Sequence, residues 1–393
     1  MRIHNLSILF LGCVLFFLSL LGCEGKGEFA LDENVLFQLH FGRLEGQFAY
    51  NMVEKDLYEF RNRILMQNGF IHLVNGESFK VMVFDSFGDL IRLLYHPDKN
   101  PYPLLLLPYK KDTQLATRTA IRYNLGNVTG IAVRNDGMQF IVNQLAPEEA
   151  LFDEENKGFL GYVVLRSSPR GEIIDSLGQE GIEGTPFPYI ESIWVTRSED
   201  LVIVCKTVQA WLVYMFDKES KLKYQVFISL DQLPIFQKEG LLPVLEKIIP
   251  SNTMPVLYVK MYYLQEILDK DTKERSGIRY ESSRIYTLDL KHSQYTSFID
   301  VSFDAKKNGE YELIGISQKD DFFLVRTGKS LQGAIDLIIV NNKGKVMRKN
   351  SLITGKIFER ILNVNSDDSI IALLIREEYA DIVWWRTDKL LHR

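Results

Sequence analysis

Cys23 is the residue whose type and position speak most directly of chemistry. The chain opens MRIHNLSILFLGCVLFFLSLLGC, where Arg2 leads into an apolar run from Leu6 to Leu21, then Gly22 and Cys23. A basic start, an apolar stretch and a small residue at the cut make the layout of a secretory signal. The same run is long enough for a short uncleaved membrane helix, since spans begin near about 17 residues. An ordinary signal peptide with an incidental cysteine is the third reading. Cys13 is the poorer candidate for modification, because few apolar residues precede it. Cys205 lies in the strand-like run LVIVCKT and reads as a buried, inert thiol.

The rest of the inventory for catalysis is thin. His4, His40, His72, His96, His292 and His392 are scattered, with no spacing that would hold a metal. The chain has no G-x-S-x-G, P-loop or dinucleotide fingerprint. Glu148, Glu149, Asp153, Glu154 and Glu155 crowd the loop Ala146–Lys157 but lack the alternating spacing and glycine of a calcium loop. They read as a solvated surface. We therefore assign no catalytic residue, no metal ligand and no cofactor.

Leu20, Gly22 and Cys23 resemble the lipobox of bacterial lipoproteins, although Leu21 stands where Ala or Ser is more usual. The resemblance implies cleavage before Cys23, diacylglycerol on its sulfur and an acylated amino terminus. An anchor of two or more chains holds stably, each buried CH₂ contributing about 0.8 kcal/mol. The expected organisation is a cleaved signal peptide over residues 1–22, a tether over 23–34 and one domain over 35–393. With Cys13 removed and Cys23 acylated, only Cys205 would remain, and no internal disulfide could form.

Apolar residues make up 46% of the chain, enough for a large core, and the net charge is −5. That balance argues against nucleic acid, whose phosphates want a basic face. No later apolar run approaches spanning length.

The strongest folding signal is RNRILMQNGFIHLVNGESFKVMVFDSFGDLIRLL, Arg61 to Leu94. It holds four apolar runs separated by Gln67-Asn68-Gly69, Asn75-Gly76-Glu77 and Asp85-Ser86-Phe87-Gly88, whose residues suit tight turns. Four antiparallel strands in about 35 residues make one propeller blade. The part GFIHLVNGESFKVMVFDSFGDLI resembles the NHL repeat. Inner pairs recur at Thr129–Gln144, Glu191–Thr207, Glu312–Thr327 and Arg360–Ile375, the first three each followed by an outer pair. The fourth unit has an irregular inner pair near Met254–Leu264. The fold class is therefore all-β, a single six-bladed propeller of four-stranded blades, with similarity to NHL, YVTN and WD40-like repeats. The last unit ends on ADIVWWRTD without an outer strand. Val35–Gly42, VLFQLHFG, has no place in the first blade and is expected beside Asp381–Trp385, closing the ring. Alternation should bury one of Trp384 and Trp385 and leave the other at a surface.

Three interruptions stand out. Phe236, Leu241, Leu245 and Ile248 have helical spacing, and with Pro243 they predict a short inserted helix over 240–249. Pro97 to Asn127 shows no order of strands and turns, and contains PYPLLLLPY. Its leucines, Leu104–Leu107, are expected to fold over the propeller base as core. The third interruption is the acidic loop. Tyr95-His96-Pro97-Asp98-Lys99-Asn100-Pro101 matches the loop of J-domain co-chaperones, but a β-hairpin precedes it where a long helix should stand. It reads as a Pro-rich turn leaving the first blade.

The functional expectation is a lipid-anchored scaffold in the cell envelope, periplasmic or surface-exposed, that binds a protein or another ligand, with an envelope or host protein as the expected partner. The chain resembles propeller lipoproteins of spirochaetes. The competing class is a propeller lyase or hydrolase acting on envelope polysaccharide or a small metabolite.

Overall fold

The computed structural model describes residues 29–50, 61–104, 118–154, 158–235, 240–269, 271–272, 274–303, 310–326 and 332–391. Their strands form six main sheets of consecutive antiparallel strands, here A to D from the inside outward. Blade 1 is Asn62–Gln67, Phe70–Asn75, Lys80–Phe84 and Leu90–Tyr95; blade 2 is Val128–Val133, Gln139–Gln144, Tyr162–Ser167 and Ile173–Gly178. Blade 3 is Tyr189–Val195, Leu201–Lys206, Ala210–Phe216 and Leu222–Ser229; blade 4 is Leu241–Pro250, Val256–Leu268, Arg275–Asp289 and Gln294–Asp300. Blade 5 is Tyr311–Ile316, Phe322–Arg326, Gln332–Val340 and Val346–Lys356. Blade 6 is Glu359–Val364, Ile370–Ile375 and Tyr379–Trp385, with Asn34–His40 from the other end of the chain as its D strand. The architecture is a six-bladed β-propeller.

Six apolar clusters occupy the six seams between neighbouring blades. Each blade therefore buries both faces, and the B and C strands lose the apolar–polar alternation of a one-sided sheet. Every residue of Ala210–Phe216 and of Ile370–Ile375 is buried. At the last seam Trp385 is buried and Trp384 half-buried.

Eight hairpin turns repeat one geometry. In turns beginning at Asp85, Arg134, Ser168, Thr196, Asp217, Ser317, Asn341 and Asn365, the first carbonyl accepts from the fourth N–H, and the first N–H donates to the fifth carbonyl. The fourth residue then has positive φ: Gly88, Gly137, Gly171 and Gly344, but also Glu199, Ser220, Asp320 and Asp368. This is a type I turn followed by a left-handed residue. In six of the eight, the first side chain also accepts from the turn's own backbone, as Ser317 Oγ does from Lys319 and Asp321. That is why Asp, Ser, Thr or Asn keeps returning there.

Blade 4 corrects an expectation. Leu241–Pro250 is a strand paired with Val256–Leu268, not a helix. A bulge between Leu245 and Lys247 adds one residue, so Leu241, Leu245 and Ile248 share one buried side at a spacing that mimics a helix. Pro243 is tolerated because the innermost strand pairs on one side only.

Two expected loops also contribute strands. Thr119–Arg122, inside the Pro97–Asn127 insertion, pairs parallel with Leu90–Tyr95. Phe29–Leu31, inside the expected tether, pairs parallel with Val346–Lys356. Each covers an outer edge whose backbone groups would otherwise stand open.

At the closing seam, Arg376 Nε bonds Asp381, its Nη2 lies 2.9 Å from Glu33 Oε2, and its Nη1 donates to the Thr354 carbonyl at 2.9 Å. Gln38 Nε2 donates to the other Asp381 oxygen at 3.0 Å. Asp381 is almost fully buried, and Asp381→Ala takes from Arg376 one of its two carboxylates while Glu33 remains, so it should cost about 1.5–3 kcal/mol in urea unfolding.

His72 supplies a pH test. Burial, and secondarily Arg92, lowers its pKa to about 3, against about 6.5 unfolded. Between these values only the unfolded chain takes up the proton. This contribution is complete above about pH 6.5 and is lost toward pH 3, by up to about 1.4 kcal/mol per unit. Unfolding curves at pH 6.5, 5.5 and 4.5 should show His72→Leu with the flatter dependence.

Candidate functional site

The A strands all run the same way, so their first residues gather at one mouth of the central channel and their last residues at the other. The cavity they enclose is about 1000 Å³. At the entry mouth stand Arg61 and Arg63 from blade 1, Glu191 from blade 3, Glu246 and Lys247 from blade 4, Glu310 and Glu312 from blade 5, and Glu359 and Arg360 from blade 6. The waist is apolar, with Leu65, Ile131, Ile193, Ile248, Ile314 and Leu362. Gln67, Asn135, Thr196, Asn252, Gln318 and Asn365 bring mainly uncharged polar groups to the far mouth.

Most mouth charges tie blades together. Arg61 reaches past blade 2 to Glu191, with Nη1 to Oε1 at 3.2 Å and Nη2 to Oε2 at 3.4 Å, and lies over the Tyr189 ring at 5.0 Å. Lys247 Nζ donates to the Leu313 carbonyl at 2.8 Å and lies 3.7 Å from Glu312. Fully buried Lys260 pairs with Glu246. Tyr50 donates to Glu359 Oε2 at 3.1 Å, and Arg360 Nη2 to the Arg326 carbonyl at 2.6 Å.

Electrostatics at the mouth are set mainly by burial. Burial, then the like charge of Arg61, lowers the Arg63 pKa, and burial lowers that of Arg360. Burial raises the Glu310 carboxyl; Lys260 opposes the shift, while Glu246 and Glu312 reinforce it. A carboxyl raised by burial beside other carboxyls is an arrangement that acid–base chemistry uses.

The two ends of the propeller differ. The A–B and C–D turns at the far mouth are short; they expose Phe87 and Met254, with Phe70 and Leu222 at the first positions of the strands that follow two of them. The B–C and D–A connections at the entry mouth include the chain's long insertions. They expose Leu44, Tyr102, Leu104, Val208, Ile235 and Phe358. Two hairpins project at this end. Leu151–Asp153 pairs with Gly158–Leu160, and Phe152 and Phe159 meet edge to face at 5.2 Å. The B–C hairpin of blade 4 has strands of 13 and 15 residues and exposes Ile267, Leu268 and Ile278 near its tip. Tyr263, bonded to Tyr286 at 2.7 Å and to the Pro234 carbonyl at 2.8 Å, fixes its base.

Cys13 and Cys23 lie outside the described residues, as does the signal segment. Leu104 is 71% exposed rather than folded into core, and Leu105, Leu106 and Leu107 lie outside the described residues. His96–Lys99 forms a turn leaving blade 1, held by Asn100 Nδ2 donating to the Ser78 carbonyl at 2.6 Å. Among the described residues, no group of three or more His, Cys, Asp or Glu is placed to hold a metal. The charged mouth was not singled out from sequence. Its signal was present: the inner pairs beginning at Glu191, Glu312 and Arg360 each start on a charge ahead of an apolar run.

The fold defines the class, a six-bladed propeller with a charged funnel. No family model and no curated protein matches the chain. Among solved structures it is similar to regucalcin, a calcium-binding protein from Agrobacterium tumefaciens, at 11% identity over 91% of this chain and 94% of that one, with TM-score 0.42. It is also similar to the polysaccharide lyase Uly1, at 7% identity over 92% and 98%, TM-score 0.43. A third is the Dos1 propeller, at 9% identity over 86% and 82%, TM-score 0.40. Likenesses this distant carry no argument about activity.

Cys205 is fully buried, and burial raises its thiol pKa well above the ordinary value. With Cys13 and Cys23 replaced by Ser, Ellman's reagent should therefore find no reactive thiol in the folded chain and one after denaturation.

Proposed function

We propose that this chain is a lipid-anchored propeller of the bacterial cell envelope, held through Cys23, that binds an envelope or host-side protein at its entry-mouth face. The observation that carries the binding reading is the inequality of the two ends. Long connections, both projecting hairpins and most exposed large apolar loop residues gather at one end, whereas short turns finish the other. Exposed apolar groups rimmed by polar ones mark contact surfaces, and rigid scaffolds commonly present function on such loops. The anchor rests on the lipobox-like Leu20, Gly22 and Cys23, and the kinship with spirochaete propeller lipoproteins on the NHL-like first blade.

A second reading, a lyase or hydrolase acting on envelope polysaccharide or a small metabolite, is favoured by one observation. Glu246, Glu310 and Glu312 converge on the funnel, with the Glu310 carboxyl raised by burial.

Intact mass and detergent partitioning test the anchor: loss of residues 1–22 with added acyl chains is expected, and Cys23→Ala should leave the detergent phase. In crosslinked envelopes, wild type should capture a discrete partner that the triple variant Ile267→Ser, Leu268→Ser, Ile278→Ser loses while keeping its melting temperature. An unacylated chain removes the anchor. An unchanged crosslink pattern in the triple variant removes the hairpin face.

A further inference from the structure

We propose that the funnel mouth binds a monocarboxylate carrying an apolar body, with Arg63 as the anchoring fork. The proposal deepens the binding reading, because it places a specific ligand chemistry on the same face.

The argument begins with what Arg63 does not do. A guanidinium has five N–H donors. Arg63 uses one, donated from Nη1 to the carbonyl of its own neighbour Asn62 at 2.9 Å. Among the described residues it has no carboxylate at ion-pair distance, and its bond joins no two blades. Arg61, Lys247 and Arg360, by contrast, each bond to another blade. Arg63 is nonetheless half-buried, with the like charge of Arg61 close enough to lower its pKa. Removing a guanidinium from water without partners is costly, and packing alone would be served as well by an apolar side chain.

The surroundings select the ligand. A planar fork with free donors matches a carboxylate bidentately. Glu191 and Glu312 stand near enough to influence Arg63, which disfavours a doubly charged phosphate and admits a single negative charge. Directly inward from Arg63 the channel turns apolar at Leu65 and Ile131, so the body behind the carboxylate should be apolar. Thr129 Oγ, buried and without a hydrogen-bond partner, lines the same cavity and supplies one more donor. A free organic acid or the carboxyl terminus of a peptide would satisfy this chemistry.

The probes are 4-phenylbutyrate and N-acetyl-Leu-Phe, each as free acid and as amide, titrated calorimetrically into the full-length chain. At least one acid should bind and its amide should bind at least about tenfold more weakly, the loss expected for a charged hydrogen bond. Binding of both acids indicates that a free organic acid suffices; binding of the peptide acid alone points to a protein carboxyl terminus. Arg63→Gln should weaken the acid at least about tenfold while its melting temperature stays equal to wild type or rises, because the fork contributes no structural pairing. Equal binding of acid and amide, no binding of either acid at millimolar concentration, or an Arg63→Gln variant that melts several degrees lower with unchanged affinity overturns the site. The hairpin triple variant should retain acid binding, so failure of the docking face and failure of the funnel site are read separately.

Discussion

Everything in this structure depends on the pairing of Asn34–His40 with Tyr379–Trp385, because a propeller exists only as a closed ring. Residues 29–49 hold three blades at once. Phe29–Leu31 adds to blade 5 and Asn34–His40 completes blade 6. The connector that follows is pinned to blade 1, where fully buried Lys80 donates to the Leu44 carbonyl at 2.9 Å and the Gln47 carbonyl at 2.6 Å. Asn75 brackets Ala49 from both sides of its peptide, at 2.8 Å and 2.9 Å. Leu39 and Phe48 then complete the core between blades 6 and 1. Closure thus joins the most distant parts of the chain, where the loop entropy is largest, and it is compensated by a shared core and a buried ion pair.

A belt of hydrogen bonds around the far mouth makes the ring rigid. Met66 N–H donates to Asn365 Oδ1 at 3.1 Å, Gln318 N–H to Asp368 Oδ1 at 2.7 Å, and Asn252 N–H to Asp320 Oδ1 at 2.8 Å. Arg197 N–H reaches Asn252 at 3.2 Å, Gln67 reaches Asn135 at 2.7 Å, and Arg134 reaches the Lys218 carbonyl at 2.9 Å. Every seam is crossed. Asp320 and Asp368 hold left-handed backbone positions where glycine would be less strained, and each instead spends its carboxylate on the adjoining blade. Rigidity at this end leaves the long connections free to vary at the other.

Blade 4 departs most from the repeat, and the departure shapes the entry mouth. The bulge at Glu246 places its carboxylate and Lys247 toward the channel, while the lengthened B and C strands carry the hairpin beyond the blade. At about 3.3 Å per residue, half a dozen extra residues project it by roughly 20 Å. Funnel and hairpin are therefore consequences of one irregular sheet.

The all-β class, the six units and the strand order were legible in the sequence, because apolar runs punctuated by Asn-Gly, Asp and Ser turns encode hairpins locally. So was the burial of Cys205, from its setting in LVIVCKT. The strand at Leu241–Pro250 was not: a bulge imposed by pairing shifts the apolar spacing to one that a helix also satisfies, and spacing alone cannot separate them. Nor were the parallel additions at Thr119–Arg122 and Phe29–Leu31, which form only because an outer edge elsewhere offers its backbone. The charged mouth belongs to the same kind. Arg63, Glu191, Glu312 and Arg360 are separated by as many as 297 residues, and each is an ordinary strand-start charge in its own repeat. Only ring closure, by giving six inner strands one common axis and direction, turns those separate residues into a site.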